Sequence, residues 1–232
     1  MFDAASRGRK ARKAVAILED HRPALGDLDL LEIGCSAGYG TVVYAEAFRS
    51  VTGIDIDEPA VRHAILSNAR PNVRYLVMDS QCTGFPDACF DVVTCTHIYE
   101  HVPDARRLMR EIHRLLRPGG VCFFSAGNRI CWMEPHYGLP LLSVLPKFLA
   151  DRYLRLLGRG PSYYEKHLTY WGLKKLVSEF ELLDYTIKVV EDPVRFHAAE
   201  VVRPGSLQQK LSRLLLSVVY WACPTYLWLL KK

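Results

Sequence analysis

Three groups of residues in this 232-residue chain have types and spacings that could do chemistry. The first is Leu28-Asp29-Leu30-Leu31-Glu32-Ile33-Gly34-Cys35-Ser36-Ala37-Gly38-Tyr39-Gly40, an apolar run that ends in an acid and opens into a glycine-rich turn. Gly34 and Gly38 remove side chains where backbone must turn sharply and lie close to a ligand, and a helix after the turn would aim its amide donors there. A second acid, Asp55, ends the β-type run Val51-Thr52-Gly53-Ile54-Asp55 about 20 residues further on, where a carboxylate can accept the ribose hydroxyls of an adenosine. Asp57, just before Glu58-Pro59, reads as a helix cap. The second group, His97-Ile98-Tyr99-Glu100-His101, has the H-x-x-E-H spacing of inverted zinc peptidases. The third is a pair of histidines, His136 in Glu134-Pro135-His136 and His167, whose imidazoles titrate near neutrality and suit a general base. A structural histidine bonded to a loop carbonyl is the equal alternative at both positions.

Apolar periodicity supplies the elements that would position these groups. A leading helix buries Ala11, Ala14, Val15 and Leu18, followed by strand 28–33, helix 39–48, strand 51–55, helix 58–67 and strand 73–78. Strand 91–95 then precedes a helix opened by Asp104, striped with Leu108, Met109, Ile112, Leu115 and Leu116 and stopped by Pro118-Gly119-Gly120; strand 121–125 follows. Strands separated by helices imply a parallel sheet with right-handed crossovers, whose ligands bind beyond the carboxyl ends of the strands. One domain spanning 1–232 is expected, with an N-terminal helix inside 1–25. Half of the residues are apolar, enough for a sizeable core. Seven cysteines without a C-x-x-C pair suggest reduced thiols and a cytosolic setting, and the N-terminus shows no signal-peptide pattern.

In this order the residues resemble the class I S-adenosylmethionine-dependent methyltransferases, in the branch with a Leu-Arg-Pro-Gly-Gly signature. Glu32-Ile33-Gly34-Cys35-Ser36-Ala37-Gly38 is similar to the family's acid-x-Gly-x-Gly-x-Gly loop, with Ser36 in place of the middle glycine. Gly53-Ile54-Asp55-Ile56 resembles its ribose-binding strand end, and Val77-Met78-Asp79-Ser80 its third motif. The likeness continues through Phe85-Pro86-Asp87, Phe90-Asp91-Val92-Val93, Glu100-His101-Val102-Pro103 and Leu116-Arg117-Pro118-Gly119-Gly120, covering about residues 26 to 126. It implies a doubly wound, mostly parallel α/β sheet of seven strands with a lid insertion, 128–168, after strand 5. It also implies S-adenosyl-L-methionine as cofactor, held by Glu32, Gly34, Cys35, Ser36, Gly38, Asp55, Ile56, Asp79, Ser80 and His97. Ile56 would lie against adenine and Asp79 would accept its amino group. No Lys or Arg occurs from Asp27 to Phe48, as suits a sulfonium donor rather than a pyrophosphate.

Rival readings are weaker. Gly34, Gly38 and Gly40 with Tyr170-x-x-x-Lys174 match fragments of short-chain dehydrogenases, but Cys95-Thr96-His97-Ile98 replaces that family's Asn-Asn-Ala-Gly and no serine stands about 13 residues before Tyr170. The stretch 97–101 ends at Val102-Pro103, leaving room for one helical turn, so loop packing is expected there and no metal is assigned. Some quinone-type relatives hold a divalent ion with a Glu-x-x-Glu-His version; here the first position is His97.

Substrate choice is expected in residues 128–170, with His136, His167 and His101 as candidate bases. The acceptor is read as a small molecule, glycan or lipid-linked compound, methylated at oxygen; a non-catalytic binding or partner subunit is the alternative. Arg7-Gly8-Arg9-Lys10-Ala11-Arg12-Lys13 reads as the solvated face of the first helix, and a nucleic-acid acceptor is disfavoured because aromatics are not interleaved. Leu214 to Leu230 is uncharged but divided by Pro224, giving a helix from Ser206 to about Trp221 and a final strand 225–230 beside one near 182–190. Peripheral membrane contact is left open, and oligomeric state is not legible.

Overall fold

The alternation of apolar strands with half-buried helices is realised in a computed structural model that describes residues 4–232. In order come α1 (Ala4–His21), β1 (Asp29–Ile33), α2 (Thr41–Ala47), β2 (Ser50–Asp55), α3 (Glu58–Ser67), β3 (Val73–Val77), β4 (Phe90–Thr96), α4 (Ala105–Leu115) and β5 (Leu116–Gly127). The insertion carries β6 (Met133–Glu134), β7 (Leu139–Pro140) and α5 (Lys147–Leu156). It is followed by α6 (Tyr170–Leu176), β8 (Glu181–Asp184), α7 (Thr186–Glu191), α8 (Leu207–Val219) and β9 (Thr225–Lys231). Met1, Phe2 and Asp3, at the start of the expected 1–25 helical segment, lie outside the described residues.

Seven strands form one sheet in the order β3-β2-β1-β4-β5-β9-β8. The first five are parallel, and β9 runs antiparallel to both β5 and β8. Successive residues point to opposite faces, and both faces are covered. Leu31, Val93, Cys122 and Leu230 join the α4 stripe of Leu108, Met109, Ile112 and Leu115, while Leu30, Val92, Phe123 and Leu229 pack with Ala14, Ile17 and Leu18 of α1. Burying each large aliphatic of the α4 stripe contributes about 1.5–3 kcal/mol. Local chemistry sets the helix starts: Asp57 accepts from the Ala60 amide, Asp104 from those of Arg106 and Arg107, and Ser206 from that of Gln209.

Two expected boundaries are corrected. Leu116 already pairs with Phe90, and Pro118-Gly119-Gly120 lies within β5 opposite a register shift between Phe90 and Val92, so α4 ends before the signature rather than at it. The strand expected near 182–190 stops at Asp184, because Asp184 Oδ1 accepts the Thr186 amide and turns the chain into α7. The final strand pairs as expected, and no helix among the described residues is long and apolar enough to cross a membrane. All seven cysteines are free, five of them buried.

The insertion has a small core of its own, Leu139, Leu142, Ala150, Leu154 and Tyr163. At its root, buried Asn128 donates from Nδ2 to the carbonyls of Trp221 and Cys223 and accepts the Ile130 amide on Oδ1. Asn128→Ala strands these partners in the interior, at a cost of about 1–3 kcal/mol for each group left unsatisfied. We expect a lower urea midpoint with an unchanged m-value in equilibrium unfolding; an unshifted midpoint would show that Asn128 does not anchor this junction.

Candidate functional site

The turn from β1 to α2 contains three left-handed residues, Gly34, Ser36 and Gly38. Gly34 has φ +79°, and a Cβ there would stand 2.2 Å from Ile98 Cδ1, so the close packing of the β4–α4 loop depends on glycine. Ser36, the departure from the family loop, has φ +48° and adopts the conformation glycine would. Its amide donates to Asp55 Oδ2 at 2.7 Å, and the Asp57 amide donates to Asp55 Oδ1 at 3.0 Å. Asp55 is thus oriented by two backbone donors at the carboxyl end of β2. Glu32, on β1, accepts the Thr41 hydroxyl on Oε2, and a Cβ at Gly40 would lie 2.7 Å from Oε1. Burial pushes the Glu32 carboxyl up to about 7, against the weaker pull of the Thr41 hydrogen bond.

Glu32, Gly34, Ser36, Asp55 and His97 line one cavity of about 500 Å³, within the range of cofactor sites. His101 and His136 also reach it. The Cys35 side chain instead packs with Val61, Ala64 and Tyr75, and a Cβ at Gly38 would meet the Tyr75 hydroxyl at 2.6 Å. Ile56, Asp79 and Ser80 lie off the cavity wall; Ile56 is 74 % exposed, and Asp79 Oδ1 accepts the Gln81 amide. The sequence reading missed Arg7 and Lys10: the expected solvated face of α1 contributes both to the cavity wall. Arg7 acts to lower the Glu32 pKa, so the site contains cations that the charge-free window 27–48 does not reveal. A ligand with a cationic group and a ribose diol would meet an acid for each, Glu32 and Asp55, with Arg7 available to a carboxylate.

The stretch 97–101 is a loop with a single turn, in which the His101 amide donates to the Ile98 carbonyl. His97, at φ +54°, has Nδ1 3.3 Å from Glu100 Oε1 and Nε2 3.4 Å from Ser125 Oγ. The three H-x-x-E-H side chains do not converge as one ligand set; Glu100 and His101 converge with His136 instead. His136 Nδ1 lies 2.7 Å from Glu134 Oε1, so its partner is a carboxylate rather than a loop carbonyl. That contact raises the His136 pKa, while burial lowers that of His101. Burial opposes ionisation of Glu134, but His136, His167 and the Tyr137 amide outweigh it and hold the carboxyl at about 2. His167 is buried and lines neither cavity. Glu134 was another omission, although an acid two residues before His136 was a visible cue.

A second, mostly apolar cavity of about 530 Å³ lies between α1, α7 and α8. Val189, Val202, Leu215, Leu216 and Val219 line it, and it shares Lys10, Thr96 and His97 with the first cavity. Tyr170, the dehydrogenase candidate, lines neither; its ring packs against Tyr220, Tyr226 and Trp228.

Residues 31–124 match the family model described as a methyltransferase domain. The chain is 33 % identical over 153 residues to the ubiquinone biosynthesis O-methyltransferase of Pseudomonas aeruginosa, a match covering 64 % of this chain and 62 % of that protein. The match thus spans about three fifths of the curated relative's length. Among solved structures, an S-adenosylmethionine-dependent methyltransferase from Mesorhizobium loti superposes with TM-score 0.59 at 18 % identity, covering 93 % of this chain and 96 % of that one. The [4+2]-cyclase SpnF superposes with TM-score 0.57 at 16 % identity, covering 95 % and 80 %. The same fold therefore carries different chemistries, and the site must decide between them.

A carboxyl raised from about 4.5 to about 7 removes stability as pH rises through that window, since the folded state resists the charged form. Glu32→Gln is therefore expected to raise the melting temperature at pH 8 and leave it nearly unchanged at pH 4.5. Equal shifts at both pH values would show that Glu32 is not held protonated by burial.

Proposed function

We propose that this chain is a class I S-adenosylmethionine-dependent methyltransferase that methylates a hydroxyl oxygen on an acceptor with a substantial apolar part. The observation that carries this reading is the meeting of two cavities at Thr96 and His97, one floored by Glu32 and Asp55 and the other mostly apolar. S-adenosylmethionine is the family's cofactor, and the first cavity fits it in chemistry. Asp55, fixed by the Ser36 and Asp57 amides, would accept the ribose hydroxyls. Glu32 would face the cationic methionine end, and Arg7 its carboxylate. Ser36 keeps the left-handed turn, which favours an intact cofactor loop over the non-catalytic alternative. Oxygen as the methylated atom is supported by the likeness to the Pseudomonas O-methyltransferase.

When bound, the cofactor supplies an activated sulfonium methyl, so the protein's task is chiefly alignment. Walls of Val202, Leu215 and Val219 exclude water from the acceptor's apolar part and direct its hydroxyl toward Thr96 and His97. His101, on the cavity wall, would take the proton that the acceptor hydroxyl gives up. His136 also lines that wall, but its Nδ1 is engaged by Glu134.

Helix α8 supports a peripheral membrane contact for such an acceptor. Leu215, Leu216 and Val219 line the apolar cavity, while Leu207, Leu211, Leu214 and Val218 recur at helical spacing and are 71, 49, 61 and 71 % exposed.

Calorimetry with S-adenosylhomocysteine should give one-site binding, weakened at least about tenfold by Asp55→Ala through lost ribose hydrogen bonds. Absence of binding to the parent chain, or unchanged affinity in the variant, would refute the assignment. The triple variant Leu211→Glu, Leu214→Glu, Val218→Glu should lose co-sedimentation with anionic phospholipid vesicles while retaining that affinity. Equal co-sedimentation would remove α8 as the contact.

A further inference from the structure

Both ends of the insertion bring ionisable side chains to one point, where Glu134 and His167 are buried and His136 reaches the surface. Glu134 stands on β6, His136 on the turn between β6 and β7, and His167 just before α6. Their ligand-type atoms all lie within 4.8 Å of one another. Glu134 is fully buried and His167 is 91 % buried. Glu134 Oε1 lies 2.7 Å from His136 Nδ1 and 3.6 Å from His167 Nε2. Neither ring nitrogen of His167 has a hydrogen bond, and Glu100, whose Oε1 lies 3.3 Å from His97 Nδ1, converges with His101 and His136 beside this group. Unsatisfied polar atoms at this density are costly in an interior unless a further group completes their coordination.

We propose that Glu134, His136 and His167 hold one divalent transition-metal ion, zinc being the best match. Two imidazoles and a carboxylate form an established three-ligand set for zinc, with a fourth position left for water or another oxygen. Ligand bonds of about 2.0–2.2 Å in tetrahedral geometry place donor atoms roughly 3.4 Å apart, a spacing bracketed by the two contacts of Glu134 Oε1. Ion binding requires only side-chain adjustment at a site already assembled. The H-x-x-E-H loop is the poorer site, because His97 is engaged with Glu100 and Ser125 and belongs to neither convergent group. An ion here joins the two ends of the insertion, and through His136 it borders the cofactor cavity. Its place suggests a fastening for the segment that closes over the acceptor, a role that rests on the methyl-transfer reading; the site itself does not.

The test uses the full chain after chelator treatment, without cofactor or acceptor, so that its outcome is independent of methyl transfer. Calorimetric titration with Zn²⁺ should show one site. Glu134→Gln and His167→Gln should each weaken it at least about a hundredfold, while His97→Gln changes it less than about threefold. Co²⁺ added to the parent chain should give the strong visible absorption of four-coordinate nitrogen and oxygen ligation, without a thiolate charge-transfer band from nearby Cys131. This arm does not depend on any variant folding. No stoichiometric binding, a weak six-coordinate Co²⁺ spectrum, or loss of binding in His97→Gln with retention in Glu134→Gln would overturn the proposal.

Discussion

Parallel strand pairing is the constraint on which the rest of this structure depends. Because β1, β2, β4 and β5 run the same way, their carboxyl ends come to one edge, and each crossover helix returns the chain without obstructing it. Glu32, Asp55, Thr96 and Ser125 come from four different strands and face a common region only because the register holds. Ile33 pairs with Ile54 and Cys95, so the turn after β1 lies between the ends of its two neighbours. Both cavities open at that edge, and the insertion leaves the sheet there.

Gathering acids at a desolvated edge carries an electrostatic penalty, and the chain meets it differently for each carboxyl. Asp55 keeps two backbone donors, Glu32 relieves the burial penalty by holding its proton to higher pH, and Glu134 is kept ionised by histidines. The first two arrangements suit a ligand that brings positive charge. Glu134 already has its counter-charge within the fold, which separates its role from those of the cofactor acids.

Local patterns made most of this architecture readable from the residues. Alternation located the first five strands, and short polar residues marked the starts of α3, α4 and α8, because a cap or apolar stripe is determined by neighbours in sequence. The glycine turn and Asp55 were legible for the same reason. What escaped depends on contacts distant along the chain. Nothing within α1 says that Arg7 and Lys10 lie over the β1 turn, and Glu134 acquires meaning only when residue 167 returns beside it. At the end of β8 a local turn, Asp184 Oδ1 accepting the Thr186 amide, is reinforced from a distance, since Asp184 Oδ2 accepts the hydroxyl of Tyr220 and the indole N–H of Trp228.

The placement of β9 also sets an order of assembly. Among the described strands, β8 pairs with β9 alone, and β9 joins the sheet by matching Cys122 with Leu230. Closing so long a loop is entropically slow compared with forming neighbouring βα units. Until it happens, β5 presents an unpaired edge rich in Val, Cys and Phe while the five parallel strands can already associate. An edge left open in that way is one that a second chain can pair with, so the late strand β9 also shields β5 from edge-to-edge association.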